Sequence, residues 1–291
     1  MLLKRIVLLS AVLAAACSLL VGCAGPAASV KGTGLYLAYT MQQGQPLKYR
    51  MVSSLEQTTE VRGDTVRTTS EQRSAITLTP LGQEAGLSRV SIAIDSMRVA
   101  IGTPAGDIVP DVSGVIGKSF EMSVSQLGQE SGFPDQEAIQ YDLGPQGKRS
   151  ATAGFQMMFP NTAGRILNVG DAWTTKDSFD EGSEGQKVGI EIESTHVLEG
   201  FETVAGLECV RIRATYTGTI TGSGSQGPVE WSTDGTVEGT STWYFAYKEG
   251  ILVSDRTEGI GESTVVVKRP DGETAEVPTT STTLMETILV R

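Results

Sequence analysis

Two neighbouring stretches decide the fold: ECVRIRATYTGTITG (residues 208–222) and VEWSTDGTVEGTSTWYFAY (residues 229–247). In the first stretch the apolar residues fall on even positions: Val210, Ile212, Ala214, Tyr216 and Ile220. In the second stretch they fall on odd positions: Val229, Trp231, Val237, Trp243, Phe245 and Tyr247. Because a period of two sends successive side chains to opposite faces of a strand, each stretch predicts a long strand with one apolar face.

The two strands predict an antiparallel hairpin whose loop covers residues 223–228. If Gly222 lies opposite Val229, paired residue numbers sum to 451 and both apolar faces fall on the same side. A slip of one residue would turn all apolar side chains of one strand to the other face. This register places Arg213 opposite Glu238, and Tyr216 over Gly235.

The same alternation continues along most of the chain and predicts further strands over 47–61, 65–79 and 87–101, with turns at 62–64 and 80–86. A change of phase near Asp95 and Ser96 predicts a β-bulge. Strands this long are expected to twist, with bends at glycines such as Gly235 and Gly239. The fold class is therefore mainly β, with long, strongly twisted antiparallel meander sheets of half-barrel type.

Two short helices are predicted over residues 135–141 and 150–159, the second ending at Pro160. They separate two groups of strands, which predicts an N-terminal β lobe (35–132), a helix-bearing connection (133–170) and a C-terminal β lobe (171–291). A single curled sheet made from both groups is the alternative.

The N-terminus has the composition of a secretory signal, since Lys4 and Arg5 precede an apolar run over residues 6–21. The run ends in Leu20-Val21-Gly22-Cys23, which resembles the lipobox of bacterial lipoproteins. The resemblance implies that residues 1–22 are a cleaved signal peptide, that Cys23 carries the lipid and that residues 23–34 form a flexible tether. In envelopes with two membranes, an Asp directly after the lipidated cysteine changes the membrane to which a lipoprotein is sorted. Ala24 occupies that position here, so the resemblance also implies an outer-membrane anchor that faces the periplasm.

The charge of the chain that remains after residues 1–22 are removed limits the partners that it can bind. Removing Lys4 and Arg5 with the signal leaves 21 basic against 34 acidic residues, a net charge of −13. Nucleic acid is excluded as a partner because the basic patch that it needs is missing. An acidic body of this kind is expected to stand away from anionic lipid on its tether.

The aromatic residues of the two deciding strands are the candidate binding residues. Trp231, Trp243, Phe245 and Tyr216 share the apolar face, and the second predicted helix adds Phe155 and Met157. A curled sheet must fill its inner face with side chains or with a ligand. These six residues are therefore either the wall of an apolar binding site or ordinary core.

His196, the single histidine of the chain, follows an alternating apolar row and is predicted to point inward as a structural side chain rather than a catalytic one. Cys209 is predicted to be an unpaired structural thiol, although Arg211 and Arg213 leave a reactive thiolate as the alternative. Without a second histidine or an identifiable nucleophile, neither an enzyme nor a cofactor is expected.

An acidic turn offers oxygen ligands that calcium could accept, but its spacing does not fit an EF-hand loop. Its members are Asp177, Asp180, Glu181 and Glu184. We predict a solvated turn and no metal site.

Short sequence motifs at residues 117–120, 169–173 and 206–210 make the chain after the tether similar to uncharacterised bacterial envelope lipoproteins. More remotely, a long curled sheet with a plug resembles the half-barrel fold of periplasmic lipoprotein and lipid carriers. That resemblance implies a non-enzymatic, membrane-anchored protein whose concave sheet binds an apolar ligand or a lipoprotein. A structural or protein-interaction module of the envelope, without a small-molecule ligand, is the alternative.

Overall fold

The computed structural model describes residues 34–61, 63–134, 138–143, 148–183 and 186–291. The predicted signal peptide, Cys23 and the tether up to residue 33 lie outside the described residues. Nine long strands make up most of the fold: β2 (Leu47–Val61), β3 (Asp64–Glu84), β4 (Leu87–Thr103), β11 (Ala172–Ser183), β12 (Gln186–Val204), β13 (Leu207–Gln226), β14 (Val229–Ala246), β15 (Ile251–Lys268) and β16 (Thr274–Val290). Seven short strands complete it: β1 (Leu35–Tyr36), β5 (Gly106–Ile108), β6 (Ser119–Val124), β7 (Glu130–Ser131), β8 (Gln140–Asp142), β9 (Lys148–Ser150) and β10 (Ile166–Leu167).

All the long strands belong to one antiparallel sheet of twelve strands, in the order β11–β12–β13–β14–β15–β16–β2–β3–β4–β6–β7, with β5 paired to β4. The last strand, β16, pairs with β2, from Thr279 opposite Thr59 to Val290 opposite Lys48. The strand groups that we assigned to two lobes therefore share a single sheet. Within the described residues, the end strands β11 and β7 do not pair with each other, so the sheet is not closed.

The mainly β class and the bulge are confirmed. Ala75 lies opposite Ser96 but Ile76 lies opposite Ile94, so Asp95 is the extra residue that changes the phase of β4. The predicted turn over 80–86 is too long, since β3 continues to Glu84. A shift in register beside Pro80 absorbs the proline, which cannot donate to the ladder.

The predicted register of the β13–β14 hairpin is wrong by four residues. Gln226 pairs with Val229, which places Tyr216 opposite Gly239 and Glu238 opposite Thr217. An even shift keeps every side chain on its predicted face, so alternation alone could not distinguish the two registers. The turn decides instead: Gly227 has a φ of 60°, which lets a two-residue turn replace the expected loop.

Neither predicted α-helix forms in the described residues. Residues 140–142 are strand β8, while residues 135–137 lie outside the described part. The second segment contains a single 3-10 turn over Ala153–Phe155. Gly154 weakens a helix there, and the segment is apolar on several sides because it is enclosed by other parts of the protein.

The sheet curls. Val188 of β12 packs against the same apolar cluster as Val66 of β3, although five strands lie between β12 and β3 in the sheet. In this cluster the indole of Trp231 lies across β13, and a Cβ added to Gly224 would come within 2.8 Å of it. Glycine at this position therefore lets the tryptophan fold flat onto the neighbouring strand.

Residues 148–167, which we call the covering segment, lie against the inner face of the sheet. Phe155 and Met158 belong to the main apolar cluster, together with residues of β2, β4, β13 and β14. Backbone carbonyls fix the segment, because Asn161 O accepts from the Trp173 indole at 3.1 Å and Pro160 O accepts from the Tyr39 hydroxyl at 2.9 Å. The segment thus covers part of the inner face of the curled sheet.

Candidate functional site

A cavity of about 110 Å³ lies between the covering segment and the inner face of the sheet. Its floor includes a row of cross-strand neighbours, in which Asp255, Thr287, Met51 and Ser74 follow one another across β15, β16, β2 and β3. Apolar side chains from the floor and from the covering segment provide the larger part of its exposed wall: Met51, Leu55, Met157, Met158, Phe179 and Met285. Polar side chains provide the rest, among them Ser70, Gln72 and Arg149.

Four of the side chains that line the cavity are methionines. Met51 and Met285 come from the adjacent strands β2 and β16, whereas Met157 and Met158 come from the covering segment. An unbranched thioether adjusts its shape to what it contacts and is common at binding surfaces that accept varied apolar partners. The cavity is comparable in size to the roughly 150 Å³ engineered cavity that binds benzene in another protein.

Two acidic residues line this space: Glu286, which pairs with Arg256, and Asp255. Asp255 accepts hydrogen bonds from the hydroxyls of Ser241 at 2.6 Å and Thr257 at 3.0 Å, and it forms no ion pair with a described residue. Burial raises the pKa of Asp255 to about 6, in spite of these hydrogen bonds. The carboxyl therefore carries less charge near neutral pH than an exposed aspartate does.

Two further carboxyl groups hold the covering segment in place. Glu130 accepts a hydrogen bond of 2.8 Å from the backbone amide of Phe159, and Asp177 accepts one from the side-chain amide of Asn161. Loss of solvation raises the pKa of Glu130 to about 8 and also raises the pKa of Asp177. The segment is thus attached through groups that are costly to ionise where they lie.

His196 is inward-facing and buried, as predicted. Its ring stacks on Trp173 at 5.0 Å and meets Trp243 edge-on at 6.0 Å, and its Nε2 lies 3.0 Å from the Thr175 hydroxyl. Burial lowers the pKa of His196 to about 4, so the ring is neutral at physiological pH. It lies among aromatic side chains and not at the cavity.

The six predicted binding residues do not form one site. Met157 borders the cavity, but the five aromatic side chains are buried in packed clusters. Trp243, Phe245 and Phe155 belong to the main apolar cluster. Tyr216 belongs to a second cluster, and Trp231 belongs to the third, which also contains Val66. The aromatic row is therefore core along its described length.

Sequence reasoning missed most of the residues that line the cavity. Met51 falls within the strand that was predicted over residues 47–61, but Met285 and Asp255 carried no local signal. They reach the cavity because β16 pairs with β2, a contact between the two ends of the chain. A prediction of the site would therefore have required knowing that β16 pairs with β2.

Cys209 is buried, and its thiol lies 3.6 Å from the carbonyl oxygen of Leu207. Burial raises the pKa of this thiol, which favours the structural interpretation over a reactive thiolate. The side chain of Arg211 instead pairs with Glu199 at 3.1 Å and Glu202 at 3.3 Å.

The predicted acidic turn is only partly described. Asp180 lies 3.4 Å from Lys187, and Asp177 binds the covering segment instead of facing solvent. The side chains of residues 181–185 lie outside the described part. Among the residues described, no group of three histidine, cysteine, aspartate or glutamate side chains could hold a metal ion.

Among the described residues we find no helix long and apolar enough to cross a membrane. No protein-family model matches the chain, and no curated protein matches it.

Solved structures give only remote likenesses. Neisserial surface protein A has 7% identity over 84% of this chain and 97% of its own, with a TM-score of 0.22. A Bacteroides fragilis protein described as exported, with a YmcC-like fold, has 11% identity over 88% and 98%, with a TM-score of 0.24. OccK2 of Pseudomonas aeruginosa has 6% identity over 84% and 98%, with a TM-score of 0.23. Scores this low do not establish a common fold.

Proposed function

We propose that the protein is a non-enzymatic envelope lipoprotein, anchored through Cys23, that binds an apolar ligand beneath its covering segment. The observation that carries the ligand proposal is the cavity of about 110 Å³, in which Met51, Met285 and Met157 face one another from the sheet and the segment. Apolar side chains from the sheet and from the covering segment favour an apolar group between them, and the polar side chains of the same lining leave a hydrated border beside it.

The size of the cavity limits the class of ligand. At about 110 Å³ the space is somewhat smaller than the roughly 150 Å³ cavity that holds benzene in another protein. A short aliphatic or aromatic group fits while the covering segment is in place. The ligand that we propose is the end of an acyl chain, with the remainder of the lipid outside the cavity.

The chemistry of the interior supports a binding role over a catalytic one. His196 is neutral and enclosed by Trp173 and Trp243, so it has no access to a substrate in the cavity. Asp255 borders the cavity, but the hydroxyls of Ser241 and Thr257 donate to it. The hydroxyls of the lining, such as that of its cross-strand neighbour Thr287, have no histidine or lysine beside them in the described lining to activate them. We therefore assign no catalytic residue.

Filling the cavity tests the proposal. Ser53 borders the cavity, whereas Ser54 follows it on the opposite face of the same strand. In titrations with a fluorescent fatty acid, Ser53→Phe is expected to weaken binding about tenfold or more, and Ser54→Phe is expected to leave it unchanged. Ser53→Leu, a smaller change, protects the test against misfolding of the phenylalanine variant.

Equal affinities for both phenylalanine variants, at unchanged circular dichroism, would exclude this cavity as the binding site. The anchor is tested separately, by labelling cells with radioactive palmitate. The label is expected on the protein and is expected to be lost in Cys23→Ser.

The open edge of the sheet favours a second candidate function, a protein-interaction module. Strand β11 spans Ala172–Ser183, and in the described part of the chain no strand pairs with its outer edge. Side chains bond its backbone near both ends, Arg165 at Ala172 and Gln156 at Asp180, so the middle of the strand is the part that could accept a partner. An unpaired edge can accept a strand from another protein. A photo-crosslinker in place of the exposed Lys176 should then capture one reproducible partner in cells, and its absence would remove this candidate.

A further inference from the structure

We propose that one end of the molecule rests on the bilayer that carries the Cys23 lipid, with Tyr36, Ile166 and Val169 in contact with the membrane interface. These three residues are called the anchor-side patch. The inference rests on the proposed lipid anchor and adds an orientation to it, since it states which surface of the protein faces the membrane.

The anchor-side patch lies where the described chain begins. Tyr36 and Ile166 are direct partners in the β1–β10 pair and are 47% and 62% exposed, and Val169 is 50% exposed. The Ile166 side chain lies across Gly34, where an added Cβ would come within 2.1 Å of Ile166 Cγ2. An apolar surface therefore starts at the first described residue after the predicted tether.

The patch belongs to the end of the sheet at which β2 begins and β3 ends. The N-terminal segment crosses this end, since the amide of Thr40 donates to Gly250 O and the amide of Gly44 donates to Pro80 O. Most of the large apolar side chains that the described residues expose lie at this end: Tyr36, Leu81, Ile166, Val169, Phe201 and Val290. Three lie elsewhere: Val109, Ile116 and Ile260.

The tether is short enough to keep this end close to the bilayer. Ten residues lie between Cys23 and Gly34, so eleven Cα-to-Cα steps join the two. A flexible chain of that length spans about 20 Å on average and about 40 Å when fully extended. The patch is therefore always within reach of the interface, and tethering gives it a high effective concentration there.

Charge does not oppose contact at this corner. The charged neighbours in the patch loop are Arg165 and Asp171, which lie 3.5 Å apart and balance each other. The net charge of −13 describes the whole exported chain and not this surface. The expectation that the acidic body stands away from anionic lipid therefore does not extend to the loop that carries Ile166 and Val169.

An environment-sensitive fluorophore tests the orientation. The label is attached at Ile166→Cys or, as the control, at Ile260→Cys on the outer face of β15. Lipidated full-length protein is placed in vesicles that contain quencher-bearing lipids. The proposal predicts strong quenching of the label at position 166 and none at position 260. Equal quenching at the two positions would overturn it.

A second arm separates this inference from the lipid anchor. Protein with Cys23→Ser is held on nickel-chelating vesicles by a hexahistidine tag placed at position 23. The label at position 166 should still be quenched. In a second experiment the label is at position 36, and its quenching gives the ratio of molecules docked on the membrane to molecules that are not. Ile166→Ser should lower this ratio about tenfold. If the label at position 166 is quenched on these vesicles but the protein made in cells carries no lipid, the anchor is refuted and the patch is not. If the label is not quenched on these vesicles, contact between the patch and the membrane is refuted.

Discussion

At the scale of single residues, the most consequential groups are carboxyls that lack a cationic partner. Glu130 holds the backbone of Phe159 and forms no ion pair with a described residue, and the pKa of Glu130 is raised to about 8. A carboxyl whose folded-state pKa exceeds its unfolded value favours folding below the unfolded value. That contribution is lost as the pH rises through the folded-state pKa.

Stability should therefore fall between pH 7 and 8. In this window Asp255 of the folded state, with a pKa of about 6, and the histidine of the unfolded chain, with an ordinary pKa of about 6.5, have largely lost their protons, so the slope reports chiefly on Glu130. The expected loss is at most about 1.4 kcal/mol per pH unit. Urea unfolding of Glu130→Gln should show a flatter profile, because the amide does not ionise.

Glu276→Gln is the matched control, since Glu276 is exposed on the outer face of β16. Its profile should follow that of the unaltered protein. If Glu130→Gln retained the full slope over this window, Glu130 would not be the group responsible.

Single residues also show what could and what could not be predicted from the sequence. The inward position of His196 followed from its place in an alternating row, because parity along a strand is a local property. The contact between Glu130 and Phe159 joins residues in two different segments, and no local pattern announces it. Buried carboxyls of this kind become visible only with the fold.

At the scale of elements, alternation predicted faces well and partners poorly. The β13–β14 hairpin kept every predicted face although its register moved by four residues, because the turn at Gly227 and not the pattern sets the register. The expected helix over 150–159 failed for a related reason. Apolar residues on all sides of a segment indicate enclosure, and enclosure is compatible with an irregular chain.

The pairing of β16 with β2 is the element contact on which the single sheet depends. Thr58 and Thr280 are direct partners across it and lie on the outer face. Cysteines at both positions should form an intramolecular disulfide on mild oxidation, since directly paired residues lie within disulfide range. A non-reducing gel and mass spectrometry of the linked peptide measure the yield.

Cysteines at Thr58 and Thr264 provide the comparison. Thr264 lies on β15, so the two positions are two strands apart, at least about 9.5 Å, and should not link. Linking at 58 and 264 but not at 58 and 280 would contradict the single-sheet order and reopen the arrangement in two lobes.

At the scale of the whole molecule, one curled sheet explains why the site was hidden in the sequence. The cavity draws Met51 from the second strand of the chain, Met285 from the last and Met157 from the middle. Mainly β structure, the bulge in β4 and the inward histidine could be predicted from local patterns. The site could not, because it forms where the two ends of the chain share a sheet.

The central claim, that an apolar ligand occupies the space beneath the covering segment, is tested most directly by locating a bound ligand. The measurement is photo-crosslinking with a fatty acid that carries a diazirine at its terminal carbon, followed by mass spectrometry of the modified peptides. We predict adducts on peptides that contain Met51, Met157 or Met285, with competition by unlabelled fatty acid. Adducts confined to exposed apolar residues such as Phe201 and Ile260, or labelling that unlabelled fatty acid does not reduce, would contradict the claim.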